Sequence, residues 1–144
     1  MSPNKTIKVH TDGASRGNPG DAAIGIAVYD EYGNTIATYN EYIGKQTNNY
    51  SEYSALVKSL ELLHNVEINY DKIEFYSDSE LMVNQLTGKY IIRNERLRDL
   101  SLKFKEEIRI LGKPFEIFHV SREDNKDADK LANEALNEVL KPKK

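Results

Sequence analysis

The stretch TIKVHTDGASRGNPG, residues 6–20, opens the folded part of the chain and carries the first signal of its fold. From Thr6 to Asp12, apolar and polar side chains alternate with a period of two, the pattern of a half-buried β-strand. The glycine-rich stretch Gly13–Gly20 follows, and we expect the strand to stop where it begins. An aspartate therefore ends the first predicted strand and faces a polar loop.

The rest of the chain alternates between strand and helix patterns. Strands at Ala22–Tyr29 and Thr35–Ile43 flank a Gly- and Asn-containing turn, which predicts a hairpin. From Ser51 the apolar spacing becomes that of a helix. Later segments predict strands at Lys72–Ser77 and Pro114–Val120 and helices at Ser79–Leu86, Leu97–Leu111 and Lys126–Leu140. The order β-β-β-α-β-α-α-β-α predicts an α/β fold with a five-stranded mixed sheet flanked by helices.

Composition excludes several classes of protein. The 144 residues carry a formal charge of −3 and no cysteine, which excludes disulfides, thiolate nucleophiles and Cys-type zinc sites. No apolar run approaches the roughly 20 residues of a membrane span, and the start lacks a signal-peptide core. We expect one cytoplasmic domain over 1–144, with a core at about 6–138 and a frayed basic tail at 139–144.

Two aspartates follow predicted strands. Asp12 ends the first strand and Asp78 the fourth. Ligands of open α/β sheets usually bind at the carboxyl ends of strands, so both positions suit a functional site. The alternatives are a turn residue for Asp12 and an N-cap for Asp78, which precedes a predicted helix.

Two further acids lie where a solvated side chain is not expected. Glu52 lies four residues before Leu56, on the edge of the apolar stripe of its helix, although an acid near the helix start also complements the helix dipole. In the last helix, Asp124 is the expected cap, which leaves Asp129 beside Ala128 without a structural explanation.

Convergence of these four acids would require a cation. Two carboxylates about 4 Å apart repel by about 4 kcal/mol at an effective dielectric constant of 20. Carboxylates without imidazole or thiolate suit Mg²⁺ or Mn²⁺, and Mg²⁺ usually completes its shell with water and substrate phosphate. The chemistry indicated is phosphoryl transfer. His10, His64 and His119 lack the spacing of a helical zinc pair, and Gly13–Gly20 lacks the Lys-Ser/Thr ending of a P-loop.

Four motifs in this order resemble those of the type 1 ribonucleases H, over about Thr6 to Glu138. They are Thr11–Gly20 (TDGASRGNPG), Thr47–Glu52 (TNNYSE), Tyr76–Ser79 (YSDS) and Ala128–Asn133 (ADKLAN). The resemblance implies a ribonuclease H-like fold and endonucleolytic hydrolysis of the RNA strand of RNA/DNA hybrids. It implies that two Mg²⁺ ions, for which Mn²⁺ would substitute, are held by Asp12, Glu52, Asp78 and Asp129, and that the products carry 3′-hydroxyl and 5′-phosphate ends.

The same resemblance implies substrate contacts. Residues expected at the hybrid's minor groove, where 2′-hydroxyls distinguish RNA from DNA, are Ser15, Asn18, Asn48 and Asn49, and Gly13 is expected to bind the substrate beside them. Thr47 would hold a DNA phosphate. Glu80 occupies a position where some members have Gln, which puts that base-edge contact in question. Cleavage of double-stranded RNA stays open, and no obligate protein partner and no membrane partner is expected.

The chain also departs from many members of the family. The loop after the last predicted strand carries Arg122 where many bacterial members have a His, so Arg122 is the expected auxiliary residue; the alternative is an ion pair with Glu123 or Asp124. The Trp-containing basic protrusion of some members is missing. Residues 88–113 nevertheless carry eight basic and four acidic side chains. Phosphate contacts are assigned to Lys89, Arg93, Arg96 and Arg98, with a solvated helix face as the alternative.

Other functions of the same fold fit less well. An integrase would need a third acid on a late helix, and a proofreading exonuclease would need Asp-x-Glu on the first strand, where Asp12 is followed by Gly13-Ala14. A non-catalytic binder of hybrid or structured RNA is the alternative from another class. It gains nothing from acids clustered beside phosphates, and metal-dependent cleavage separates the two.

Overall fold

A computed structural model describes residues 5–66 and 69–141 as a five-stranded sheet flanked by helices. The elements in chain order are β1 (Thr6–Gly17), β2 (Gly20–Tyr29), β3 (Thr35–Gln46), α1 (Asn48–His64), β4 (Lys72–Ser77), α2 (Glu80–Leu86), α3 (Glu95–Leu111), β5 (Phe115–His119), a 3₁₀ turn (Arg122–Asn125) and α4 (Lys126–Val139). The strands lie in the order β3-β2-β1-β4-β5. β1, β2 and β3 pair antiparallel, whereas β4 pairs parallel with β1 and with β5, which confirms the predicted mixed sheet.

The main core lies between one face of the sheet and the helices α1 and α3. Ile7 and Val9 of β1, with Ile73 and Phe75 of β4, point into it and are almost completely buried. On the opposite face, α4 packs on β1, β2 and β3 through three buried residues at helical spacing, Ala128, Ala132 and Leu136. Period-two burial in β4 and the first half of β1, with helical periods in α1 and α4, thus produces the layers that the sequence predicts.

Two glycines let helices approach the sheet unusually closely. A Cβ at Gly13 of β1 would overlap the backbone of Ser51 and lie 2.5 Å from the amide nitrogen of Glu52. A Cβ at Gly25 of β2 would overlap the carbonyl oxygen of Ala128 and lie 2.6 Å from the amide nitrogen of Ala132. Backbone therefore packs on backbone at both positions, which only glycine permits. These contacts bring α1 to β1, which carries Asp12, and α4 to the neighbouring strand β2.

The prediction that β1 stops at Asp12 is wrong, because the strand continues to Gly17. Its extension pairs with β2 through the register Gly13↔Ile24 to Gly17↔Gly20. The parallel pairing with β4, by contrast, ends at Thr11↔Ser77. Asp12 therefore lies within β1, one residue beyond the end of its parallel neighbour. β2 and β3 are correspondingly longer than predicted, and β3 reaches Gln46.

Hydroxyl side chains cap the helices where the sequence suggested acids. Ser79, not Asp78, caps α2, because its side chain accepts from the amide of Met82. Ser121 caps the 3₁₀ turn and accepts from the amide of Asp124, so Asp124 is not the cap of α4. Serine is as good a cap as aspartate, and it precedes the first turn in both cases.

Thr47 caps α1, which begins at Asn48 rather than near Ser51. No acid lies in its first turn, so complementing the helix dipole does not explain Glu52. At the other end of the chain, Val139 is still helical, which shortens the predicted frayed tail, and 142–144 fall outside the described residues.

Within the described ranges, 5–66 and 69–141, no helix has both the length and the apolar character that crossing a membrane requires.

The close packing at Gly25 predicts a large cost for one added methyl group. Gly25→Ala should lower the free energy of unfolding by about 3 kcal/mol, because backbone atoms of α4 must move to make room. Gly33→Ala is the matched control: it meets no atom within 4 Å and suffers only the strain of its positive φ of 87°, about 1 kcal/mol. Urea unfolding monitored by circular dichroism measures both, and equal costs for the two variants would contradict the packing argument.

Candidate active site

An open cavity of 410 Å³ lies where β1 and β4 face the starts of α1 and α2 and the first turns of α4. Polar and acidic groups dominate its lining, which comprises Asp12, Gly13, Ala14, Ser15, Asn48, Asn49, Glu52, Asp78, Ser79, Arg122, Asp129 and Asn133. All four acids selected from the sequence are among them. The cavity brings together residues that are more than 100 positions apart in the chain.

Three of the acids form a tight cluster. Asp12, Glu52 and Asp78 each offer one carboxylate oxygen, and these oxygens all lie within 4.8 Å of one another. The backbone N–H of Gly13 donates to Oε1 of Glu52, which holds the glutamate against β1. The same glycine therefore admits α1 to the sheet and orients the carboxylate that α1 carries.

Burial and mutual repulsion raise the pKa values of this cluster. Asp12 and Glu52 retain only 4% and 8% of their accessible surface. Desolvation raises the pKa of the Asp12 carboxyl, and the charges of Glu52 and Asp78 raise it further. The pKa of Glu52 is also raised, first by burial and then by the charge of Asp78, against the opposing hydrogen bond from Gly13.

Asp129 lies beside the cluster in the lining of the same cavity and is held by its own helix. Nδ2 of Asn133, one turn later in α4, donates to the carbonyl oxygen of Asp129 at 3.0 Å and to its carboxylate at 3.2 Å. Nη2 of Arg16, at the end of β1, donates to Oδ1 of Asn137 at 2.6 Å and lies 3.5 Å from Oδ1 of Asn133. Asp129 lies close enough to Asp12 to contribute to its raised pKa.

The donor set fits a hard divalent cation. Every acid in the cluster offers carboxylate oxygen, and no histidine lines the cavity. Buried carboxylates in mutual contact are unfavourable without a proton or a cation between them. Mg²⁺ and Mn²⁺ prefer such oxygen ligands. Asp12, Glu52 and Asp78, with Asp129 beside them, are therefore the residues that could hold a metal.

Comparison with known proteins agrees with this geometry. A family model described as reverse transcriptase-like matches residues 10–135. The ribonuclease HI of Halobacterium salinarum is 39% identical over 141 residues, which cover 96% of this chain and 69% of the relative. The chain belongs to the ribonuclease H family.

Solved ribonuclease H structures superpose closely on the chain. The crystal structure of RNase H1 from Halobacterium salinarum matches with a TM-score of 0.85 and 39% identity, covering 92% of this chain and 98% of the other. LC11-RNase H1, solved in complex with RNA/DNA hybrid, matches with a TM-score of 0.88 and 37% identity, covering 93% and 99%. The bifunctional protein Rv2228c of Mycobacterium tuberculosis is 31% identical, and the matched region spans 35% of its length.

The other residues that the ribonuclease H resemblance selected lie at different distances from the cavity. Gly13, Ser15, Asn48 and Asn49 line it. Asn18 lies just outside and accepts from the amide of Asn48 at 3.0 Å. Thr47 is the cap of α1, and the exposed Glu80 begins α2; neither lines the cavity.

Arg122 lies at the mouth of the cavity. Its side chain is 85% exposed, and Nε lies 3.9 Å from Oδ2 of Asp78. Its ionic partner is therefore an acid of the cluster, whereas the alternative expectation was Glu123 or Asp124. Exposure leaves the guanidinium free to move toward a bound substrate.

The four predicted phosphate contacts lie outside the cavity lining and are all exposed. Two of them have neutral partners. The guanidinium of Arg96 donates to Oε1 of Gln46 at 2.9 Å, and that of Arg98 donates to the carbonyl oxygen of Ile92 at 3.1 Å.

Asn133 is a cavity residue whose role sequence reasoning overlooked. It belongs to the ADKLAN motif, yet it was assigned no role there. Its spacing of four from Asp129 was the available signal, because i and i+4 side chains on a helix lie side by side.

The raised carboxyl pKa values predict that the cluster destabilises the metal-free protein at neutral pH. The folded state binds these protons more tightly than the unfolded state does, so the free energy of unfolding falls as pH rises above about 4. Asp12→Asn removes one repelling charge. In chelator at about pH 7.5 we expect it to raise the free energy of unfolding by about 1–3 kcal/mol, with a smaller gain near pH 5.

Thermal melts with and without Mn²⁺ complete this test. Millimolar Mn²⁺ should raise the Tm of the wild type and have little effect on Asp12→Asn, because a ligand of the folded state stabilises it. Asp99→Asn, an exposed carboxylate on α3, should change neither behaviour. A variant that melts below the wild type in chelator, or that responds fully to Mn²⁺, would argue against charge repulsion at this cluster.

Proposed function

We propose that this protein hydrolyses the RNA strand of RNA/DNA hybrids endonucleolytically with two divalent cations, leaving 3′-hydroxyl and 5′-phosphate ends. The observation that carries the proposal is the cluster of Asp12, Glu52 and Asp78, with oxygens within 4.8 Å inside a polar cavity. The related LC11-RNase H1 binds an RNA/DNA hybrid. The 37% identity across 93% of this chain supports the same class of substrate here.

The cations would be held by the carboxylates of Asp12, Glu52, Asp78 and Asp129. Bound there, Mg²⁺ or Mn²⁺ supplies Lewis-acid activation of water and neutralises charge at the phosphate. The chain's own contribution is preorganisation. Gly13 holds Glu52, and Asn133 holds Asp129, so the ligands do not have to be ordered when the substrate arrives.

Recognition of the RNA strand is assigned to the neutral polar residues of the cavity. Ser15, Asn48 and Asn49 offer donors and acceptors beside the carboxylates, which suits the 2′-hydroxyl, itself both donor and acceptor. Asn18 is assigned to the same minor-groove contacts, Thr47 to a DNA phosphate, and Glu80 to substrate binding at the start of α2. A DNA strand lacks the 2′-hydroxyl and would leave these groups unpaired, which weakens its binding relative to RNA.

Cleavage of end-labelled duplexes tests the proposal. RNA/DNA, RNA/RNA and DNA/DNA duplexes are incubated with Mg²⁺, Mn²⁺ or chelator, with Asp12→Asn as the control. We expect internal cuts in the RNA of the hybrid, only with metal, and a loss of at least about 100-fold in the variant, because a metal ligand is missing. The RNA/RNA duplex measures the breadth of substrates. Tight hybrid binding without cleavage in either metal would point to a binding module instead.

Arg122 is assigned an auxiliary role in turnover, because it reaches the cluster from an exposed position. Arg122→Ala should lower kcat by about 10-fold while metal affinity is retained, since the residue is a cation and no ligand. Arg122→Lys should recover part of the loss. Single-turnover and steady-state rates, with Mn²⁺ affinity by calorimetry, separate the steps. An unchanged kcat, or a loss explained by weaker metal binding, would refute the assignment.

A further inference from the structure

One arginine near the start of α3 is held in a fixed position by two neutral side chains. The guanidinium carbon of Arg96 lies 4.0 Å from the centroid of the Tyr50 ring, within the range of a cation–π contact. Its Nη2 donates to Oε1 of Gln46 at 2.9 Å. Tyr50 belongs to α1 and Gln46 ends β3, so three separate elements meet at this guanidinium.

This arrangement leaves the positive charge of Arg96 unneutralised. Three other cations of the described surface pair with carboxylates: Lys58 with Glu61, Lys72 with Glu116, and Arg109 with Glu106. Within 5–66 and 69–141, no carboxylate lies within 4.0 Å of the Arg96 guanidinium. The residue is exposed, so its remaining N–H groups face solvent. A guanidinium with a full charge and free donors matches a phosphate oxygen.

The position of Arg96 connects it to the cavity. The carbonyl oxygen of Gln46 accepts from Oγ of Ser15 at 3.1 Å, and Ser15 lines the cavity. Tyr50 directly follows Asn49, another lining residue. The two groups that hold Arg96 are therefore continuous with the polar wall that faces the substrate.

We propose that Arg96, stacked on Tyr50 and bonded to Gln46, is a preformed binding site for a backbone phosphodiester of the hybrid outside the catalytic cavity. The proposal rests on the proposed function for the identity of the nucleic acid. It distinguishes Arg96 from the three other predicted phosphate contacts. Arg98 bonds to Ile92 of its own loop, and no partner anchors Lys89 or Arg93 in the described part of the chain.

Tyr50 supplies preorganisation in this site. A side chain that is already fixed loses less conformational entropy when the ligand binds. The contact that fixes Arg96 is to the ring face, which phenylalanine also offers and leucine does not. The pair Tyr50→Phe and Tyr50→Leu therefore separates the stacking contact from the hydroxyl group.

Hybrid binding measured by fluorescence anisotropy tests the site without interference from cleavage. All variants are made in the Asp12→Asn background and titrated with a labelled RNA/DNA hybrid in Mg²⁺ over a series of KCl concentrations. Arg96→Gln should weaken binding and reduce the slope of log K against log salt by about one unit, as expected for one lost phosphate contact. Arg109→Gln on the same helix, whose partner is Glu106, should leave the slope unchanged.

The tyrosine variants give the sharper result. Tyr50→Leu should weaken binding about twofold to fivefold, and Tyr50→Phe should match the parent. Melting curves identify any variant that fails to fold. If Tyr50→Leu fails to fold, the test rests on Tyr50→Phe and Arg96→Gln. An unchanged salt slope in Arg96→Gln, or no hybrid binding by the parent, overturns the proposal.

Its failure is distinguishable from that of the proposed function, because cleavage is measured separately on the chain with Asp12 intact. Cleavage with an unchanged slope in Arg96→Gln refutes only the phosphate site. A reduced salt slope in Arg96→Gln without cleavage by the chain with Asp12 intact refutes only the proposed hydrolytic activity.

Discussion

The approach of two helix backbones to β1 and β2, at Gly13 and Gly25, is the constraint on which the site depends. Asp12 is the register partner of Gly25 and the chain neighbour of Gly13. The two close contacts therefore flank the central carboxylate and set the distance at which α1 and α4 present Glu52 and Asp129. A side chain at either glycine would force a helix outward and enlarge the cluster.

This geometry imposes an electrostatic cost on the folded protein. Acids that are buried together raise one another's pKa and weaken the fold at the pH at which they must be ionised. A sequence optimised for stability would place neutral residues at these positions. The acids found there instead indicate selection for ligand binding rather than for stability. The neutral hydrogen bonds around the cluster, from Gly13 and Asn133, limit the disorder that repulsion would otherwise cause.

Much of the fold followed from local patterns. The order of the elements and the limits of β4 could be predicted, because burial periods are local properties, and the candidate acids lay at predicted strand ends or beside apolar helix positions. The extension of β1 through Gly17 depended on its register with β2 instead. Packing at Gly25, the partner of Arg122 and the stacking of Arg96 on Tyr50 are contacts between distant elements, which no local pattern records.

The central claim is that Asp12, Glu52 and Asp78, with Asp129 beside them, form a cation site and thereby a hydrolytic centre. The position of Mn²⁺ in a crystal, located from its anomalous scattering, tests this most directly. The account predicts a peak in direct coordination with oxygens of Asp12, Glu52 and Asp78 at millimolar Mn²⁺. A crystal in which Mn²⁺ binds elsewhere on the surface, while these three carboxylates stay without metal, would contradict it.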